Sequence, residues 1–386
     1  MTSPTTTLPS ITREEFGAFF AALNGGHDPF SWQEEVLDHI CEHGVWPERI
    51  NAPTGSGKSS VVDIHLFANA LAAVGAAPRV PRRLCVTVGR RALVDSQATR
   101  ADKILRRMNE VLADESGEPD ILRRVAEALQ SFQTRNDGQG SGPFEVGHIR
   151  GELSNRTLPV TDISACAIIA ATPDMYGSRA LFRGYGSTKA ARPRETALLT
   201  MDTVMVLDEA HSYRGVFGAH IANLLRRLRR VCALYRTVPV FYGASATSSN
   251  PVESFSKLIG VPQQAVTAIT ESTSARGETT VALWEPEFMP PKAHDQLAKG
   301  ARSTQQQAVQ SKAEQEAPRR VSPVEQGAQM LTDLVLSRTR SLVFAGSRRS
   351  VEILSQKTQR YLDEVEAGLA HRVAAYRAGY TPEERR

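Results

Sequence analysis

The stretch A-P-T-G-S-G-K-S, Ala52 to Ser59, decides how the rest of this 386-residue chain reads. It departs from the pattern G-x-x-x-x-G-K-[ST] only at its first position, and the run that follows, Val61 to Val74, is mostly apolar. Gly55 and Gly57 let the backbone wrap an anion, and a helix starting there aims its free amides and the positive end of its dipole at the same point. Lys58 then reaches the β- and γ-phosphates of a nucleoside triphosphate and the Ser59 hydroxyl holds magnesium, with Thr54, Ser56 and Ser60 completing the cradle. ATP and Mg²⁺ are the expected ligands. A loop of this kind joins a strand to a helix, so the expected fold is α/β around a parallel sheet.

Downstream, V-M-V-L-D-E-A-H at Val204 to His211 places two carboxylates at the end of an apolar strand. Neighbouring strand residues point opposite ways, so Asp208 faces the magnesium while the next turn sets Glu209 to polarise an attacking water. Lys58, Asp208, Glu209 and His211 form the candidate catalytic set. Further apolar runs occur at Leu84 to Val88, Ala165 to Ala171 and Val238 to Gly243, alternating with helical patterns as a parallel sheet with covering helices requires. After Gly215 a stripe of Ile221, Leu224, Leu225, Leu228, Val231, Cys232 and Tyr235 predicts a long helix, with Arg226, Arg227, Arg229 and Arg230 on its solvated side. Ser245-Ala246-Thr247 closes the last of the apolar runs.

Composition sets outer limits. A hydrophobic fraction of 41% and a charged fraction of 23% are those of a globular protein, and a net charge of +4 permits a nucleic-acid partner without announcing one. Cys41, Cys85, Cys166 and Cys232 stand far apart with no C-x-x-C pair, which supports neither a zinc site nor a disulfide framework. The first ten residues lack a basic and an apolar segment, and no apolar run approaches membrane-spanning length, so a cytoplasmic protein with no membrane partner is expected.

The expected organisation is a disordered lead-in over 1–28, a first lobe over 29–289, a linker over 290–323 rich in Gln, Ala, Lys, Glu and Arg, and a partial second lobe over 324–386. Within the first lobe the glycine-punctuated run Asn136 to Pro143 reads as a loop. Within the second, Ser341 to Ala345 reads as a strand followed by a helix that Ser347 and Arg348 open.

The succession of phosphate loop, D-E-A-H and S-A-T resembles superfamily two DEAD/DEAH-box DNA helicases, which often carry alanine at the first loop position. Two stretches resemble different branches. From Ala52 to His211 the chain is similar to the helicase part of type I CRISPR-associated helicase-nucleases, through P-T-G-S-G-K-S, G-R-R-A-L-V-D-S-Q at Gly89 to Gln97, and G-S-R-A-L-F-R-G-Y-G at Gly177 to Gly186. From Asp208 onward it is similar to mitomycin-repair DNA helicases and their fungal RecQ-like relatives, through D-E-A-H-S-Y-R-G-V-F-G-A-H-I-A-N-L-L-R-R-L, A-G-S-R-R-S-V-E-I-L at Ala345 to Leu354, and Y-R-A-G-Y-T-P-E-E-R-R at Tyr376 to Arg386. The resemblance implies a RecA-like P-loop lobe followed by a truncated second one. It implies 3′ to 5′ movement on single-stranded DNA, with RNA as the other candidate strand. A role in CRISPR defence or DNA repair is implied, with an effector complex or a repair protein as partner. By the same resemblance Gln33, beside Phe30 and Trp32, reads adenine, and Ser245 and Thr247 couple ATP state to strand grip. Arg90, Arg91, Gln97, Thr172 and Asp174 would contact the tracking strand, joined by Ser347 and Arg348.

Departures from the pattern shape the alternatives. The Q-x-x-G-R-x-G-R segment that supplies an arginine finger does not occur in the sequence, and such a finger is worth about 10³ to 10⁵ in rate. Turnover by this chain alone is therefore expected to be slow, and the alternative is a nucleotide-dependent DNA-binding or regulatory module that does not unwind. A P-loop ATPase acting on protein accounts less well for the glutamine and the S-A-T run. His294-Asp295 is a lone dipeptide, too little for a two-metal nuclease site.

Overall fold

The computed structural model describes residues 8–51, 56–89, 91–114, 120–133, 142–149, 162, 164–182, 189, 196–197, 199–200, 203–245, 250–269, 278–288, 320–366 and 368–377. The chain divides into two compact units, Met1–Arg276 and Gly277–Arg386.

The apolar runs of the first unit become strands of one sheet. They are β1 (Arg49–Asn51), β2 (Arg83–Thr87), β3 (Glu145–Ile149), β4 (Ala167–Ala171), β5 (Thr203–Leu207), β6 (Val240–Ser245) and β7 (Ala268–Ile269), in the order β3-β4-β2-β5-β6-β1-β7. Every pairing is parallel. Asn51 stands opposite Ser245, Leu207 opposite Gly243, and Thr87 opposite both Leu207 and Ala171. All the strands therefore end at one edge of the sheet, where ligands of open α/β sheets bind.

Parallel strands are covered on both faces, which explains why β2, β4 and β5 are buried at every position instead of alternating with polar residues. Leu84, Val86, Val204 and Val206 turn into one core, with helices α1 (Phe16–Leu23), α2 (Ser31–His43), α3 (Val61–Ala73), α4 (Arg91–Ala113) and α5 (Ile121–Gln130). Cys85, Met205 and Leu207 turn into the other, against α6 (Pro173–Leu181), α7 (Gly215–Leu234) and α8 (Pro251–Ile259). The architecture is the α/β one the motifs predict. In α7 the stripe residues Ile221, Leu224, Leu225, Leu228 and Cys232 are buried. Two of its arginines do more than face water: Arg226 donates to the Lys257 carbonyl at 3.1 Å and Arg229 to that of Gly260 at 3.0 Å, tying α7 to the end of α8.

Two expectations are corrected. The lead-in over 1–28 is not disordered from Ile11 onward: Ile11, Phe16, Phe19 and Phe20 are buried, and Phe16 and Phe19 pack on Phe67 of α3 with ring centroids 5.3 and 5.2 Å apart. Phenylalanines three and four residues apart give α1 an apolar face worth burying. In the second unit, 341–345 forms no strand, and Leu342 and Phe344 are exposed, because no described neighbour offers a ladder. That unit holds α9 (Pro323–Leu336) and α10 (Arg348–Val365), which bury Ala328, Thr332, Leu354, Thr358 and Leu362. Among the described residues no helix is long and apolar enough to cross a membrane. The expected linker and His294-Asp295 lie largely within 289–319, outside the described residues.

Candidate nucleotide site at the sheet edge

β1 leads into the phosphate loop, of which Ser56 to Ser60 is described. Gly57 takes φ +71°, a left-handed conformation that glycine adopts without strain, and Lys58–Ser60 form a short 3-10 turn continuing into α3. The turn closes on itself, Ser60 N and Ser60 Oγ both donating to the Gly57 carbonyl at 2.9 and 2.6 Å. α2 braces the loop from outside. Trp32, fully buried, donates Nε1–H to the Ser56 carbonyl at 3.0 Å, and Gln33 Nε2 donates to Ser60 Oγ at 2.6 Å while Gln33 Oε1 accepts from Phe30 N at 2.7 Å. Gln33 thus engages both ends of its amide within the protein, linking the start of α2 to the loop.

Two strands away, β5 delivers the acid pair. Asp208 N donates to the Thr87 carbonyl at 3.0 Å, and Asp208 Oδ1 accepts from Glu209 N at 2.9 Å. Glu209 sits at φ +52°, uncommon for a residue with a Cβ, which turns its side chain away from the strand direction and within 3.3 Å of His211 Nε2. Burial holds the Asp208 carboxyl above its ordinary value, with the Glu209 backbone hydrogen bond and then the positive charge of Lys58 opposing that rise only in part. Phosphate loop and acid pair therefore share one edge of the sheet.

A half-buried hydroxyl, Ser59, and a largely desolvated carboxylate, Asp208, suit Mg²⁺, which takes few protein oxygens and keeps water and phosphate as its remaining ligands. Among the described residues no cluster of three or more His, Cys, Asp or Glu could hold a metal.

Each of the other expected residues has its own setting. β6 ends at Ser245, and Thr172 precedes α6 directly after β4. Asp174 is exposed, 3.4 Å from His220 Nε2. Gln97 on α4 is half-buried with its Oε1 unpartnered. In the second unit Ser347 caps α10, its Oγ accepting from Ser350 N at 3.0 Å, and Arg348 is exposed. Thr54, Gly55, Arg90 and Thr247 lie outside the described residues, as do the side chains of Arg91 and Ser245. Three features escape sequence reading. They are the Trp32 brace, the buried Tyr213 whose hydroxyl points at the Thr87 carbonyl at 3.5 Å, and the fully buried Asp63 on α3, which accepts from Arg100 and Asn24 at 2.5 and 3.0 Å. Only Trp32 had a signal, its place beside Phe30 and Gln33.

A glycine-wrapped loop and an acid pair at the carboxyl edge of a helix-covered parallel sheet define a P-loop lobe of the RecA type. No family model matches the chain. Over 185 residues, 47% of its length, it is 30% identical to the ATP-dependent helicase hrq1 of Schizosaccharomyces pombe. Over 182 residues, again 47%, it is 30% identical to the ATP-dependent helicase YprA of Bacillus subtilis. These stretches are 15% and 20% of the two relatives, so the chain matches only a small part of either. Among solved structures, the DUF1998 helicase MrfA bound to DNA and AMPPNP shares the fold over 98% of this chain and 42% of its own, with a TM-score of 0.60 at 20% identity. The chain is similar to superfamily two helicases, as the order of its motifs implies.

Proposed function

We propose that this chain is the ATP-binding engine of a superfamily two DNA helicase or translocase that moves 3′ to 5′ on single-stranded DNA in the cytoplasm, in CRISPR defence or DNA repair. The reading rests on one observation: Lys58, in the turn that follows the loop after β1, and Asp208, directly after β5, stand beyond the ends of parallel strands two apart at a common sheet edge. Lys58 offsets charge on the phosphates, and Ser56, Gly57 and Ser60 with Thr54 and Gly55 shape the cradle. Glu209, held by its turn and by His211, orients the water that attacks the γ-phosphate. Ser59 and Asp208 would hold Mg²⁺, which supplies charge neutralisation between the phosphates. Gln33 connects the nucleotide pocket to the loop, and Ser245 and Thr247 relay its state. Arg90, Arg91, Gln97, Thr172 and Asp174, with Ser347 and Arg348 in the second unit, contact the backbone of the nucleic-acid strand, where contacts position without reading sequence. The relatives named ATP-dependent helicases and the DNA- and AMPPNP-bound fold neighbour support this reading.

The test is ATPase turnover with and without single-stranded DNA, single-stranded RNA and duplex DNA. Stimulation by single-stranded DNA is expected, and Lys58→Ala is expected to abolish ATP binding. Unchanged ATP affinity in Lys58→Ala would overturn the assignment, and ATP binding without stimulated turnover would leave the non-unwinding module in its place.

A further inference from the structure

Behind the acid-pair turn lies a second cavity, about 270 Å³, between that turn, the start of α7 and the side of α8. Its lining includes Arg49, His211, Arg214, Gly215 and Ser254, and no carboxylate. Arg49 is the unusual member. It stands on β1 opposite Gly243, whose missing side chain leaves room for the Phe255 ring, and it is 2% exposed. Yet among the described residues its Nε and Nη2 have no hydrogen-bond partner, and the Phe255 ring lies 5.9 Å from its guanidinium, at the outer limit of a cation–π contact. Burial lowers the guanidinium to about 10, which still leaves it charged at neutral pH.

A buried cation with orphaned donors is costly unless something pairs with it. The rest of the wall offers the same sign of attraction: a second guanidinium from Arg214, a histidine, a serine hydroxyl, and the amino end of the 20-residue α7. We propose that this cavity binds a compact oxyanion of the phosphate class, with Arg49 as its principal ligand and Arg214 at its mouth. The volume is several times the ~30 Å³ that a water occupies in the liquid, so a tetrahedral anion fits with water beside it. The site is separate from the phosphate loop but touches the same machinery, because His211 lines its wall and lies 3.3 Å from the Glu209 carboxylate.

The experiment titrates inorganic phosphate calorimetrically, at constant ionic strength, into the Lys58→Ala chain, which silences the phosphate loop. Saturable binding of one phosphate per chain is expected. Adding Arg49→Met should weaken it about tenfold or more, the loss of a charge-assisted hydrogen bond, while Arg49→Lys should keep part of it. Methionine replaces a buried charge by an apolar group of similar length, a change folds often accept. If that variant fails to fold, exposed Arg214→Ala is expected to weaken binding in the same direction. Absence of saturable binding in Lys58→Ala, or affinity indifferent to both arginines, would overturn the proposal without touching the nucleotide site.

Discussion

Gly57→Ala should separate the loop's conformation from its composition. At φ +71° a Cβ costs about 1 kcal/mol in backbone strain, and here it would stand 3.0 Å from Gln33 Nε2. That contact is tight, so the Gln33 amide must give by a few tenths of an ångström, which weakens its hydrogen bond to Ser60 Oγ, now at 2.6 Å, at a cost of up to about 1 kcal/mol. Together these disfavour the cradle by up to about 2 kcal/mol, or as much as roughly 30-fold in affinity for a nonhydrolysable ATP analogue measured by fluorescence titration. Gly25→Ala is the control: φ is +68° there too, but nothing lies within 4 Å of the new Cβ, so stability falls by about 1 kcal/mol and nucleotide affinity stays as it was. In a Gln33→Ala background the clash has no partner, and the Gly57→Ala penalty should shrink by up to about half, a coupling that a double-mutant cycle reads directly. Wild-type affinity in Gly57→Ala would refute the left-handed cradle. An undiminished penalty without Gln33 would refute its role as brace.

Three further outcomes follow from buried groups. Asp63→Ala should destabilise the first unit by about 3 kcal/mol in urea unfolding, because it strands Arg100, whose partial access to solvent keeps the cost at the low end of the range, while Asp63→Asn should cost less by keeping an acceptor for Asn24. His65 donates Nε2–H to the Arg82 carbonyl at 3.1 Å and burial lowers it to about 4, below its ordinary 6.5. Since the fold prefers it neutral, its contribution is complete above pH 6.5 and is lost as pH falls toward 4, up to about 3 kcal/mol, and His65→Gln should flatten the urea-midpoint profile across that window. Phe19→Ala should cost about 3 to 5 kcal/mol by thermal or urea unfolding, and a loss under 1 kcal/mol would remove α1 from the core.

What the sequence discloses here follows from how a parallel sheet is built. Strands buried on both faces must be apolar throughout, so β2, β4, β5 and β6 stand out as uninterrupted runs, and the motifs at their ends locate the edge before any coordinate does. β1 hides because it is three residues, R-I-N, and β3 and β7 hide because edge strands are short or mixed, E-V-G-H-I and A-I. The polar lead-in misled for a different reason: Thr, Pro and Ser in the first ten residues set an expectation that the Phe16, Phe19 and Phe20 spacing should have stopped at Thr12. Buried polar partnerships are the least legible, since nothing at Asp63 announces Arg100, or at Trp32 announces the Ser56 carbonyl; each pair is joined only by the packing of α1, α2 and α4 around α3.

The same logic explains why Arg49 is informative. Along β1 the chain could have placed an apolar residue against Phe255, Leu258 and the Gly243 backbone, as it does at Ile50 on the opposite face. It buries instead the side chain that is hardest to neutralise, with two donors unmatched among the described residues, immediately behind the turn that carries Glu209 and His211. Packing does not require that choice, and it weakens the fold unless an anion compensates it. A destabilising charge beside the acid-pair turn is how a site for a ligand differs physically from a piece of core, so the Arg49 variants measure whether stability has been yielded there for binding.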